Sequence, residues 1–339
     1  METSLILMIL VAAIAAPMAL AQEPPPPGEI SRPSDDATST ELLDAGDAQF
    51  SDRRYEQALE FYKTAVERAE KEKKPGNQTE ALAQVARAYL ILDKKEEGEK
   101  WLEKARKAAT KDEPKGWSRY LGVRGRFEWK SDKLDVAKKT FTEMYDFCNE
   151  QKLYDRAVDA AHMVALVATT DEKVEWAKKG IAAAEKGKFD GWLGPLWNNL
   201  GWTYKEQKKY PEMLDALLKA REYHYKGSNE LSKLIADNAV AQAYRLNGKL
   251  KQARDLLTTT LATANKRYAA DSKNAENAEW VGWCEVEMGD LLAAEGDKKA
   301  ALEHKKTGRK YLVESGIEEW GKSDLEEVDA AIKALEEEK

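Results

Sequence analysis

The side chains able to do chemistry are few and scattered in this sequence. Its 339 residues hold three histidines, His162, His224 and His304, and two cysteines, Cys148 and Cys284. No two of the histidines share an HExxH or paired-ligand spacing, and a metal site needs convergent ligands. They are expected to serve as packing or surface residues. A nucleophilic cysteine requires a nearby base and an electropositive setting, and the sequence around Cys148 and Cys284 supplies neither. Glycine-rich phosphate loops, a Walker motif and a G-x-S-x-G elbow are missing. The abundant carboxylates are interleaved with Lys and Arg at intervals of three and four, the pattern of a solvated, salt-bridged helix surface. The chain thus reads as non-enzymatic, with no cofactor and no metal.

What would position any functional side chain is a mark that recurs seven times. A small residue at Gly46, Ala86, Gly125, Ala165, Gly201, Ala241 and Gly289 is followed twelve residues later by Ala58, Gly98, Ala137, Ala177, Met213, Ala253 and Ala301. Seven residues further come Ala65, Ala105, Met144, Ala184, Ala220, Thr260 and Gly308. These offsets are constant, whereas successive marks lie 40, 39, 40, 36, 40 and 48 residues apart. Fixed geometry within a unit and slack between units indicates a helical array. Apolar residues three, four and seven apart form one stripe of a helix. Short polar turns such as Ser51-Asp52-Arg53-Arg54 and Asn247-Gly248-Lys249 separate the two helices of a unit. A lone helix pair cannot bury its stripe, but stacked pairs can. Cys148 and Cys284 fall about four units apart, so at the roughly 8–10 Å spacing of packed helices they are too distant for a disulfide.

The unit from Trp197 to Ala220 resembles the tetratricopeptide repeat (TPR). Trp197, Leu200, Gly201 and Tyr204 match its W-x2-L-G-x2-Y opening, and Tyr210, Leu217 and Ala220 match its second helix. Met213 departs from the family's alanine, which implies a slightly looser local crossing. The large second-helix residue is Tyr62, Leu102, Phe141, Ile181, Leu217 and Leu257, with Lys305 breaking the pattern in the last unit. The resemblance covers roughly residues 41 to 312. It implies an all-α, right-handed α-solenoid of about seven helix-turn-helix (TPR-like) repeats, fourteen helices in all, with a further C-terminal capping helix. Most units are about six residues longer than the 34 of the standard repeat, and the extra length is expected in the second helices.

The resemblance also implies which residues line a concave face. With Gly201 and its equivalents counted as the eighth position, the second, fifth, sixth, ninth and twelfth positions look inward. The second to fourth units place Arg87, Arg119, Arg126, Trp129, His162 and Met163 there. The fifth and sixth place Asn198, Asn199, Trp202, Lys205, Asn238, Gln242 and Arg245. Read this way, the face is free of carboxylates. Arginines offer forked donors to carboxylates, and Asn and Gln can pair with an extended peptide backbone. Trp129 and Trp202 add flat apolar area of the kind that anchors interfaces. The expected partner is a protein or peptide segment bearing acidic groups, and Arg87, Arg126, Trp202 and Arg245 should act on binding and scarcely on folding. The carboxylate clamp of chaperone-binding repeats is absent, because His162, Leu166, Ile235 and Ala239 stand where its lysines and asparagines would be.

The ends read differently from the array. Residues 1–21 resemble a secretory signal: an apolar run from Leu5 to Leu20 ends in Ala19-Leu20-Ala21, although the segment Met1-Glu2-Thr3-Ser4 lacks a basic residue. The run is short for a span of about 20 residues and Pro17 interrupts it, so no membrane insertion of the mature chain is expected. Residues 22–40 form a Pro-rich linker that cannot bury apolar surface. Residues 41–312 are the array, and 313–339 the capping segment, with an amphipathic helix from Asp324 to Leu335. A net charge of −7 argues against nucleic acid as the partner. The function implied is a non-enzymatic protein–protein interaction or scaffolding module of the cell envelope, exported to the periplasm or secreted. The alternatives are a sensor or binding protein for a small molecule or carbohydrate, and an enzyme whose site forms only in three dimensions.

Overall fold

The computed structural model describes residues 36–337. The signal-like segment and most of the proline-rich stretch lie outside the described residues. Among the described residues there are fifteen α-helices and no strand. They fall into two compact units that meet between Phe189 and Asp190.

The N-terminal unit holds four helix pairs. These are α1 (Ser39–Ser51) with α2 (Tyr55–Lys71), α3 (Pro75–Ile91) with α4 (Lys95–Ala108), α5 (Pro114–Lys130) with α6 (Leu134–Glu150), and α7 (Tyr154–Val167) with α8 (Thr170–Gly187). The C-terminal unit holds α9 (Asp190–Glu206) with α10 (Tyr210–Lys226), α11 (Glu230–Leu246) with α12 (Leu250–Ala270), and α13 (Ala275–Ala294) with α14 (Lys298–Glu314). A 3-10 turn (Ile317–Glu319) then leads into α15 (Lys322–Glu337). Leu325, Val328 and Ile332 of α15 bury themselves with Val286, Leu302, Leu312 and Ile317, and so cover the last pair.

Local chemistry sets the helix starts. Thr38 and Glu41 form a capping box ahead of α1, and Thr169 and Glu172 do the same for α8. Pro75 and Pro114 stand at the first residues of α3 and α5, where no backbone donor is required. The helix-to-helix turn is the same in six of the seven pairs. Seven residues after the small mark, Arg53, Asp93, Asp132, Lys208, Gly248 and Gly296 take positive φ values of 62°, 57°, 59°, 55°, 70° and 91°. The next amide then donates back across the turn, as Arg54 does to Gln49 and Lys249 to Tyr244, both at 2.9 Å. This double reversal satisfies carbonyls that the helix end would otherwise leave open. In the fourth pair α7 ends early and the Thr169 capping box replaces the turn.

The recurring mark is a packing contact. At the four marks that are glycine, the large second-helix side chain sixteen residues later lies on it. A Cβ added at Gly46 would stand 2.5 Å from the Tyr62 ring, one at Gly201 2.6 Å from Leu217, and one at Gly289 2.6 Å from Lys305. Lys305 therefore keeps the pattern it breaks in name. Its stem packs on Gly289 while its ammonium pairs with Asp290 at 2.6 Å, an arrangement that suits an amphipathic side chain. The looser crossing expected at Met213 is also visible. Its carbonyl lies 3.5 Å from a Cβ built at Gly201, against 3.0 Å for Ala301 and Gly289.

The extra residues per unit are not confined to the second helices. First helices such as α3, α5 and α9 and second helices such as α2, α6 and α10 are all 17 residues long. The 48-residue gap before the last mark comes from α12, at 21 residues, and α13, at 20. The Ser39 side chain, assigned to the linker by the sequence, is fully buried in α1 and bonds Glu72 Oε2 at 2.5 Å.

Candidate functional site

In the N-terminal unit the inward positions of α1, α3, α5 and α7 carry a charge network. Arg119 contacts Glu80 at 3.3 Å and Asp47 at 3.5 Å. Arg156 pairs with the same Glu80 oxygen, reaching from α7 to α3. Arg126 bonds Asp159 at 2.7 Å and the Gly122 carbonyl at 2.9 Å. Tyr62 donates to Asp47 at 2.6 Å, and Gln84 also bonds Asp47. The expectation of a carboxylate-free face is thus overturned. Asp47, Glu80 and Asp159 stand at the ninth, second and second positions of their units. The register that names the arginines names them too, once it is applied to every unit.

The electrostatics follow from this pairing. Burial opposes charge on Asp159, but Arg126 and Arg87 outweigh it and hold its carboxyl down at about 2. Burial likewise opposes the charge of Arg119, and Glu80 and Asp47 reverse the balance and raise it. His162 is pushed down to about 4 by burial, so it is neutral at pH 7. Arg87 differs from its neighbours. It lies half-buried with its guanidinium 4.3 Å from the centre of the Phe50 ring, and among the described residues no carboxylate is ion-paired with it. Burial, with Arg126 and Arg119 close by, lowers Arg87 to about 10. Trp129, partly buried, packs against the cluster formed by Ala137, Phe141 and Val164.

The C-terminal unit repeats the theme on α9, α11 and α13. Arg245 bonds Glu287 at 2.5 and 3.0 Å and lies 3.7 Å from Asp290. Gln242 donates to Glu287 at 2.9 Å. Asn238, 7 % exposed, donates to the Cys284 sulfur at 3.5 Å. Glu287 and Asp290 hold the sixth and ninth positions of the last unit and belong to the same overlooked register. Asn198 and Asn199 of α9 differ again: their side-chain amides find no hydrogen-bond partner among the described residues. One turn on, the Lys205 ammonium lies 4.9 Å from the Trp202 ring centre.

The sequence-derived set therefore divides. Arg119, Arg126, Asn238, Gln242 and Arg245 are committed to partners within the protein. Arg87, Asn198, Asn199, Trp202 and Lys205 keep donors or ring faces uncommitted. Arg126 in particular is tied to Asp159 at 2.7 Å.

Cys148 and Cys284 are both free and buried, and burial pushes each thiol up to about 12. His224 packs against Gly194, and His304 bonds Glu285 at 2.5 Å. Among the described residues no group of His, Cys, Asp and Glu could hold a metal ion, and no helix is long and apolar enough to cross a membrane.

No family model matches the sequence, and no curated protein matches it. Solved structures do. A signal transduction ATPase with numerous domains from Pyrococcus horikoshii, described as having a tetratricopeptide repeat sensor, aligns with a TM-score of 0.64 at 14% identity. The alignment covers 84% of this chain and 44% of that one, so the present chain matches less than half of the archaeal protein's length. The C-terminal part of a TPR repeat-containing protein from Cytophaga hutchinsonii aligns with a TM-score of 0.52 at 15% identity, over 80% of this chain and 94% of that one. The fold is a tetratricopeptide-like helical repeat. At such identities the likeness is one of fold, and the TPR-like array must take its function from its own side chains.

Proposed function

We propose that the chain is a non-enzymatic interaction module that holds an extended protein or peptide segment against its first helices. The observation that carries this reading is on α9. Two adjacent asparagine amides without partners, a tryptophan and a lysine lie within two helical turns. Asn amides can both donate to and accept from a peptide backbone, and a partly exposed Trp is a common hot spot. The resemblance of the fold to a repeat described as a sensor in the archaeal ATPase is in keeping with recognition. Among the described residues the buried, inert thiols and the dispersed histidines offer no activated nucleophile to an enzymatic reading.

The test uses a photoreactive amino acid at position 202 and, as control, at Leu218, which is exposed on a second helix. The full chain is irradiated in extract from its native cells. A discrete adduct from position 202 and none from position 218 is expected. Asn198→Ala with Asn199→Ala should abolish that adduct while shifting stability by about 0.5 kcal/mol or less. Adducts from position 218 alone would reject the first-helix face.

The same reading places the protein outside the cytoplasm, in the cell envelope or secreted, on the strength of the apolar run Leu5 to Leu20 and the Ala19-Leu20-Ala21 site. N-terminal sequencing of the mature protein should begin at Gln22. Intact Met1 on cytosolic protein would refute export.

A further inference from the structure

Arg87 stands apart from the ion-paired arginines of the N-terminal unit. Around it on the first helices of the N-terminal unit are the guanidiniums of Arg119, Arg126 and Arg156, against the carboxylates of Asp47, Glu80 and Asp159. Each of the three carboxylates is bonded to one of those other arginines, and His162 is neutral. Arg156 also approaches Asp155 at 4.0 Å, whereas Arg87 has no carboxylate at ion-pair distance among the described residues. Its guanidinium carbon lies 4.3 Å from the centre of the Phe50 ring, which is itself fixed edge-on by Tyr55 with ring centres 5.0 Å apart. A half-buried guanidinium with a ring on one side and no ion-pair partner has its forked donors available at a fixed place.

We propose that Arg87 is the receptor for a single carboxylate of a segment bound on the first helices of the N-terminal unit, with Phe50 as the platform that orients it. This rests on the first-helix reading above and adds to it the chemistry of one contact. One guanidinium without an ion pair takes a single carboxylate. A forked, two-bond pair to the guanidinium is the geometry carboxylates adopt. Burial and the neighbouring arginines, which lower Arg87 to about 10, make an arriving anion more welcome there than at any paired arginine. A Glu or Asp side chain and the end of a chain both supply such a carboxylate, and the two sources are separable by experiment.

Three labelled hexapeptides serve as probes on the full chain: an amidated Ala–Glu alternating sequence, its Ala–Gln counterpart, and all-alanine with a free C-terminus. Binding is read by fluorescence anisotropy. In parallel, phenylglyoxal modification at Arg87 is followed by mass spectrometry, with Arg53 and Arg106 as exposed references. A carboxylate probe is expected to bind at least tenfold more tightly than the Gln peptide and to protect Arg87 selectively. Preference for the amidated Glu peptide identifies a side-chain source, and preference for the free terminus identifies a chain end. Arg87→Gln should lose that tenfold preference, and Arg87→Lys should keep only part of it. Because protection is measured on the unaltered protein, it stands even if a variant folds poorly. Equal binding of Glu and Gln peptides, or absence of protection by any probe, overturns the assignment. If the Gln peptide binds and loses affinity in the Asn198→Ala, Asn199→Ala protein, the first-helix reading survives without it.

Discussion

Glu80→Ala is expected to destabilise the protein by about 3–5 kcal/mol, the usual cost of removing one partner from a buried ion pair. Glu80 is 7 % exposed and alone joins Arg119 to Arg156. Without it Arg156 keeps only the Lys115 carbonyl at 3.2 Å and a marginal approach to Asp155 at 4.0 Å. Most of the loss comes from the stranded guanidiniums, so the double variant Glu80→Ala, Arg156→Ala should be more stable than the sum of the two single changes predicts. Urea unfolding of the full chain measures this, and a Glu80→Ala midpoint at the wild-type value would show the network to be solvated and dispensable. The pH dependence has a definite sign. Burial opposes the charges of Glu80 and Asp159, yet their arginines hold both carboxyls below the ordinary range, Asp159 at about 2. The unfolded chain, with carboxyls near 4, binds those protons more readily. Their contribution is complete above about pH 5 and lost as pH falls toward 2.

Phe141→Ala is expected to cost about 3–5 kcal/mol by a different route, loss of buried apolar contact plus a cavity. The Phe141 ring is fully buried, lies directly on Gly125, and shares a cluster with Ala161, Val164 and Trp176. The reverse error, Gly125→Val, drives a side chain into that ring and should cost about 1–3 kcal/mol. Combined, the two changes exchange volume across one contact, and the double variant should be less destabilised than the sum of the singles. Strict additivity in thermal unfolding would mean that the two residues do not pack as a pair.

That contact also explains what the sequence made legible. A small residue and a large one sixteen positions later must touch wherever two helices of fixed length are joined by a fixed turn, so the mark reports backbone geometry directly. Hence the seven pairs, their turns and the helix across the end could be read from residue types alone. Lys305 was legible only as an exception, because its ion pair with Asp290 lies on another helix. The pairing of the inward side chains was harder still. Arg156 and Glu80 are 76 residues apart and meet across an intervening helix, and no local period encodes how far successive pairs rotate. Asp47, Glu80, Asp159, Glu287 and Asp290 nonetheless stand at the inward positions by simple counting. Asp47, Glu287 and Asp290 belong to the first and last units, whereas Glu80 and Asp159 stand at second positions within the middle ones.

The turns hold a comparison that the chain makes with itself. At one offset, glycine twice occupies the left-handed conformation, at Gly248 and Gly296, while Arg53, Asp93, Asp132 and Lys208 are held in it despite their side chains. Left-handed backbone costs an ordinary residue about 1–2 kcal/mol, less for aspartate, whose side chain tolerates it. The burden thus falls on Arg53 and Lys208, and the relaxed version of the same loop already exists elsewhere in the array. This protein sits below the stability its architecture permits. The template for raising it is written in its own sixth and seventh repeats.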